Sequence, residues 1–447
     1  MSETLDLVIR APRAIVPGEG EVARAIGVHD GRIAAIAPLG TALMARETIE
    51  LDSDVVLMPG LVDTHVHVNE PGHTDWEGFE SATAAAAAGG ITTLIDMPLN
   101  SIPVTVDVEA LRVKRDAAKG SCQVDVGFLG GLIPTNLDQL RPLHDAGVFG
   151  FKCFLADSGL PEFPHVDSAT MQEAMAVVSG LEVPLFVHAE NALAAKDLPP
   201  LHSRRYADYL ASRPRGYENL AIAQVIETAR LTGAHAHICH LSSSDALAMI
   251  ESARRDGVFI TVETCPHYLS LRAEDVSDGA TYFKCCPPIR ETPNRELLWG
   301  GLRANIIDLV VSDHSPSTPE LKTRGNGDLG AAWGGIASLQ LTLAVVWTEA
   351  RSRGFSLANV AQWMSTGPAR MVGLKNKGRI ALGTDADFCV LAPEEVFVVD
   401  PGKLRQRNPA TPYDGRKLSG VVRTTILGGQ PIDYSLARGR LLSRGFA

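Results

Sequence analysis

The chain has 447 residues, 45% hydrophobic and 21% charged, a globular balance that excludes wholesale disorder in a chain too long for one small core. Its net charge of −11, from 41 Lys and Arg against 52 Asp and Glu, argues against a nucleic acid or an anionic membrane as partner. Seven scattered cysteines, none in a CxxC pair, read as reduced thiols. With no signal peptide at the start and no apolar run of roughly 18 residues, the cytoplasm is the expected compartment.

Residues 5–57 carry short strand-like runs separated by turns, and Asp30-Gly31 between two of them is a hairpin signal. The same texture returns after residue 376, in GRIALGTDADFCVLAP, EVFVVDP and LSGVVRTTILGGQPI. Both ends are β-rich and the middle is not. The termini are therefore expected to meet and build one small β-sandwich, from residues 1–57 and 376–447, the latter including a tail.

In the middle, residues 58–375, apolar strand-like runs fall at 91–98, 122–131, 147–155, 184–190, 234–243, 258–269 and 306–316. Helix-compatible segments separate them, such as 77–88 ending at Gly89 and 168–179 ending at Gly180. With the strand that leads into His65 there are eight such units. The expected class is therefore α/β, a (β/α)8 TIM-type barrel with its chemistry at the C-terminal ends of the strands. Two long connections, 192–218 and 316–335, are expected to lie over the barrel mouth as lids.

The stretch 58–72 reads MPGLVDTHVHVNEPG. On an extended strand His65 and His67 project from the same face, and two converging imidazoles supply half of a tetrahedral zinc-like site. Further donors fall at the ends of other strands: Lys152 in GFKCFL, His188 in FVHAE, His240 in ICHLSS and Asp313 in VSDHSP. Each alone has a structural reading, such as a core histidine, a capping aspartate or a lysine snorkelling to the rim. Their common phase at strand ends favours one joint metal site.

In AHAHICH, His235 and His237 share one face of an extended strand and His240 the other. His240 is preferred because it lies at the C-terminal end; His235 reads as structural, and His237 as open to a supporting role. Phe151, Cys153 and Phe154 flank Lys152, apolar surroundings that favour the neutral, nucleophilic amine. Such an amine can add CO2 to give a carbamate, an anionic donor able to bridge two cations. Two divalent ions bring +4, and the carbamate, Asp313 and a bridging hydroxide return −3, with four neutral imidazoles completing the shells.

Taken together these motifs resemble the amidohydrolase superfamily, and within it the cyclic amidohydrolases: dihydroorotases, hydantoinases or dihydropyrimidinases, and allantoinases. The resemblance spans nearly the whole chain. It implies a binuclear centre of His65, His67, carbamylated Lys152, His188, His240 and Asp313, with Asp313 also the general base. Dihydroorotases typically read HxHxREPG, with the Arg clamping a substrate carboxylate; here Asn69 stands in that place. That change, with DMPLNSIP at 96–103 and FKCFLADSG at 151–159, is most similar to the allantoinase branch, whose ring substrate is uncharged. Hydantoinases usually place a Tyr shortly after the lysine, where this chain has Leu155-Ala156-Asp157.

The activity so implied is hydrolysis of the cyclic amide of allantoin to allantoate by a metal-bridging hydroxide. Asn100, Cys286, Ser315 and Gly334 are the expected substrate contacts, Cys286 standing where many relatives carry a small polar residue. Zinc is the expected metal, with Co2+, Mn2+ and Fe2+ compatible. A homotetramer is implied by resemblance. The alternatives are a hydantoinase, dihydropyrimidinase or dihydroorotase activity, and a non-catalytic scaffold that retains the fold.

Overall fold

The computed structural model describes residues 4–191, 200–408 and 410–445. The N-terminal part forms β1 (Leu5–Val16), β2 (Gly20–His29), β3 (Arg32–Pro38), β4 (Ala45–Glu50) and β5 (Val56–Pro59). Asp30 and Gly31 form the β2–β3 turn with φ of 48° and 71°, the left-handed pair that a tight hairpin requires.

Barrel strands follow: β6 (Leu61–Val66), β7 (Ile91–Asp96), β8 (Asp125–Phe128), β9 (Gly130–Gly131), β10 (Phe151–Phe154), β11 (Leu185–His188), β12 (Ala236–Ile238), β13 (Ile260–Thr264) and β14 (Leu309–Val310). All pair in parallel, β6-β7-β8 in one sheet and β9 through β14 in another. β8 and β9 are consecutive pieces of one barrel strand. A parallel bridge from Val66 to His314 and the bond from His67 N–H to the His314 carbonyl (2.9 Å) connect the other edges. Every residue of β6, β7, β10 and β11 is buried, as expected of parallel strands with neighbours on both faces. Gly60 permits the entry into β6, because a Cβ there would stand 2.2 Å from the Thr92 hydroxyl.

Helices cover the barrel where the periodicity placed them. One spans Phe79–Ala88 and ends at Gly89. Another spans Ser168–Ser179, and its N-cap Asp167 accepts from the Thr170 N–H. The chain then returns as β15 (Phe388–Val398), β16 (Lys417–Leu427) and β17 (Gln430–Pro431). β15 runs antiparallel to β5 with Cys389 opposite Met58, so both termini share one eight-stranded sheet. That sheet encloses its own core, including Ile9, Ile26, Leu57 and Phe388.

Three expectations change. The run 258–269 is a strand only to Thr264, and Pro266–Ser270 is a short helix, since Pro266 has no N–H to give a ladder and suits the first helical turn. The run 306–316 forms a ladder only at β14. Of the connection 192–218, residues 192–199 lie outside the described residues; the rest holds helices Tyr206–Ser212 and Arg215–Thr232.

A buried cluster ties the barrel to the terminal sheet. The Lys377 ammonium lies 2.8 Å from Asp125, 3.1 Å from Asp385 and 2.6 Å from Asp387. Arg440 adds a second cation on Asp125 and Asp385, each at 2.6 Å. Replacing Lys377 with Met should lower unfolding free energy by about 3–5 kcal/mol, because it leaves buried carboxylates uncompensated. Denaturant titration checks this, and wild-type stability would contradict the clamp.

Candidate metal centre

The predicted donors meet at the C-terminal mouth of the barrel, and none is more than 8% exposed. His65 Nε2 and His67 Nε2 lie 3.3 and 3.6 Å from Asp313 Oδ1, and the three donor atoms lie within 4.8 Å of one another. Beside them His188 Nδ1 faces His240 Nε2 at 3.0 Å. Lys152 Nζ sits 3.1 Å from Cys239 Sγ and 5.0 Å from the centre of the Phe154 ring.

Burial holds His67 down to about 4 and lowers His188 and His240 as well, keeping those imidazoles in the neutral form that can ligate. At His65 burial also acts downward, but Glu263 and Asp313 outweigh it and push the ring up to about 10. A cation arriving there displaces a proton. Four imidazoles, one amine and one carboxylate, gathered where little water reaches, fit divalent cations of the zinc type.

Asn100, Cys286, Ser315 and Gly334 line the same cavity of about 1140 Å3 as the six donors. Asn100 takes φ 63° and brings Nδ2 to 3.4 Å from His67 Nδ1. Cys286 Sγ lies 3.1 Å from the Tyr209 hydroxyl. A Cβ on Gly334 would meet nothing within 4 Å. Described residues of both expected lids, from Pro200 to Tyr217 and from Arg324 to Gly335, also line the cavity, and the two are joined by Leu329 N–H to the Ser203 carbonyl (2.7 Å) and Ser203 N–H to Asp328 Oδ1 (3.1 Å).

Residues 56–432 match the model of the Amidohydrolase family. The chain belongs to that family. An allantoinase of Streptomyces avermitilis is 54% identical over 444 residues, covering 98% of this chain and 99% of the relative. The allantoinase of Saccharomyces cerevisiae is 46% identical over 398 residues, 88% of this chain and 85% of that protein. Among solved structures, an L-hydantoinase (dihydropyrimidinase) from Arthrobacter aurescens superposes with a TM-score of 0.91 at 30% identity, covering 99% of both chains. The fold is thus the amidohydrolase barrel with its β-sandwich, and a binuclear metal centre is implied.

In this amidohydrolase, buried acids behind the donors escaped the sequence reading. Asp63 accepts from the His65 and Ser312 N–H groups, each at 3.1 Å, tying β6 to the segment that carries Asp313. Glu190 accepts from His188 Nε2 at 2.8 Å and from Arg213 at 2.7 Å. Glu77 meets His314 Nε2 at 3.1 Å, and Glu263 contacts His65 Nδ1. Their signal was present: an acid inside an apolar strand-like run, as in VFITVETC, is buried only with partners. The strand parity applied to AHAHICH fails because β12 stops at Ile238 and His240 takes φ 37°.

A further cluster, Asp125, Asp385 and Asp387, also brings three acids within 4.8 Å. There Lys377 already supplies the cation.

Proposed function

We propose that this protein hydrolyses the ring amide of allantoin to give allantoate. The observation that carries the choice of ring is the end-to-end match to an allantoinase at 54% identity, in a chain whose six donor positions are all filled. Asn69 supports it: its side chain is buried and donates to the Pro316 carbonyl at 3.3 Å. That position therefore offers no guanidinium for a charged ring.

His65, His67, His188, His240 and Asp313 would hold two divalent ions, zinc being the metal this donor set suits best. Lys152 would join them as its carbamate, formed when the amine nitrogen bonds CO2 and loses a proton. When bound, the ions supply a water acidic enough to react near neutral pH and a Lewis acid for the carbonyl. Asp313 then does the proton work. Burial alone would raise its carboxyl, but His65 and His67 outweigh burial and hold it well below the usual carboxylate range. It is ionised, takes the proton of the attacking water and passes it to the leaving ring nitrogen. Asn100, Ser315 and backbone groups near Cys286 and Gly334 would orient the uncharged ring by hydrogen bonds. Residues 58–375 would carry this chemistry, with 1–57 and 376–447 supplying the β-sandwich.

A substrate panel on protein of measured metal content tests the ring. Allantoin should turn over far faster than hydantoin, dihydrouracil or dihydroorotate. Preference for any of those three would overturn the choice.

A further inference from the structure

Four side chains form an unbroken line behind His65, running down the inside of the barrel away from the mouth. Both oxygens of Glu263 face ring nitrogens: one meets His65 Nδ1, and the other meets His237 Nε2 at 2.9 Å. The oxygen on the His65 side also accepts the His240 backbone N–H at 3.2 Å. His237 Nδ1 lies 2.8 Å from the Thr261 hydroxyl, and His235 Nε2 reaches the same oxygen at 2.8 Å. Glu263 and His237 are fully buried, so these contacts do not compete with bulk water.

One arrangement of protons satisfies the whole line. An ionised carboxylate only accepts, so both rings must present an N–H to Glu263. Once a cation has displaced the second proton, the His65 ring keeps one N–H, which must stay on Nδ1 facing Glu263, leaving Nε2 for the cation. On His237 the N–H is on Nε2, so Nδ1 accepts the Thr261 hydroxyl proton. The Thr261 oxygen accepts in turn from His235. We propose that Glu263 is a positioning residue of the metal centre, fixing which nitrogen His65 offers the cation, and that His237 and Thr261 hold Glu263 to that task. The inference rests on the metal-dependent reading of the site.

Glutamine at position 263 would offer one oxygen and one NH2 group. One of the two rings must then move its proton to the other nitrogen, and on His65 that proton would block the cation. Zinc affinity is measured by competition with a chelator, for the wild type, Glu263→Gln, Thr261→Val and the double variant. Glu263→Gln should bind zinc about 10- to 100-fold more weakly. Thr261→Val keeps the side-chain shape and touches no metal donor; it should show a smaller loss of zinc affinity, with a modest fall in melting temperature from the hydrogen bonds it removes. The double variant should be no weaker than Glu263→Gln alone, because both changes act through one line of contacts.

If Glu263→Gln does not fold, the folded Thr261→Val protein decides: weaker zinc binding supports the proposal, and wild-type affinity overturns it. Unchanged affinity in folded Glu263→Gln, or losses that add in the double variant, would also overturn it. A wild-type chain that binds no zinc would remove the metal-dependent reading together with this role.

Discussion

Replacing Lys152 with Ala should strip the centre of metal and bring allantoin turnover to background. Lys152 is 1% exposed and lines the same cavity as His65, His67, Asp313, His188 and His240. Without Lys152 the remaining donors fall into two groups, His65, His67 and Asp313 on one side and His188 and His240 on the other, with nothing between two mutually repelling cations. As proposed, a Lys152 carbamate would supply the bridge together with a second negative charge. Alanine leaves a space with the shape of the lost side chain, so short carboxylic acids in the buffer should restore part of the metal content. Elemental analysis of purified Lys152→Ala reads this directly. Two ions per chain in that variant would contradict the bridging role.

Asp313→Asn has the second large effect. Asparagine keeps an oxygen that can face a cation, so metal content should stay near wild type. It cannot take up a proton, and turnover should fall by roughly 100- to 10,000-fold, the contribution typical of a positioned general base. The two variants therefore separate: Lys152→Ala loses metal and rate together, and Asp313→Asn loses rate alone. Substantial activity in metal-loaded Asp313→Asn would remove the aspartate from the proton path.

Most of this site was legible in the sequence because barrel geometry converts spacing into position. A donor near the end of a parallel strand points into the mouth, so His65, Lys152 and His188 could be placed without coordinates, whereas Asp313 lies beyond β14 with φ 45°. The shared terminal sheet was legible for a simpler reason, since strand texture at both ends has to find partners. His240, which comes within 3.0 Å of His188, was placed on weak grounds, because its left-handed backbone lies beyond the strand whose parity was used to place it. The supporting acids were missed for a different reason. Glu263 and Asp63 act through contacts separated by 198 and 249 residues, to His65 and Ser312 respectively, and no local pattern encodes such a pairing. Pro266 concealed a helix inside an apolar run for want of a long enough period on either side.

Anomalous diffraction from crystals grown with zinc and bicarbonate tests the central claim most directly. The account predicts two zinc peaks, one at His65 and His67 and one at His188 and His240, with planar density extending from Lys152 Nζ to both. A single peak, or two peaks beside a bare lysine amine, would contradict it.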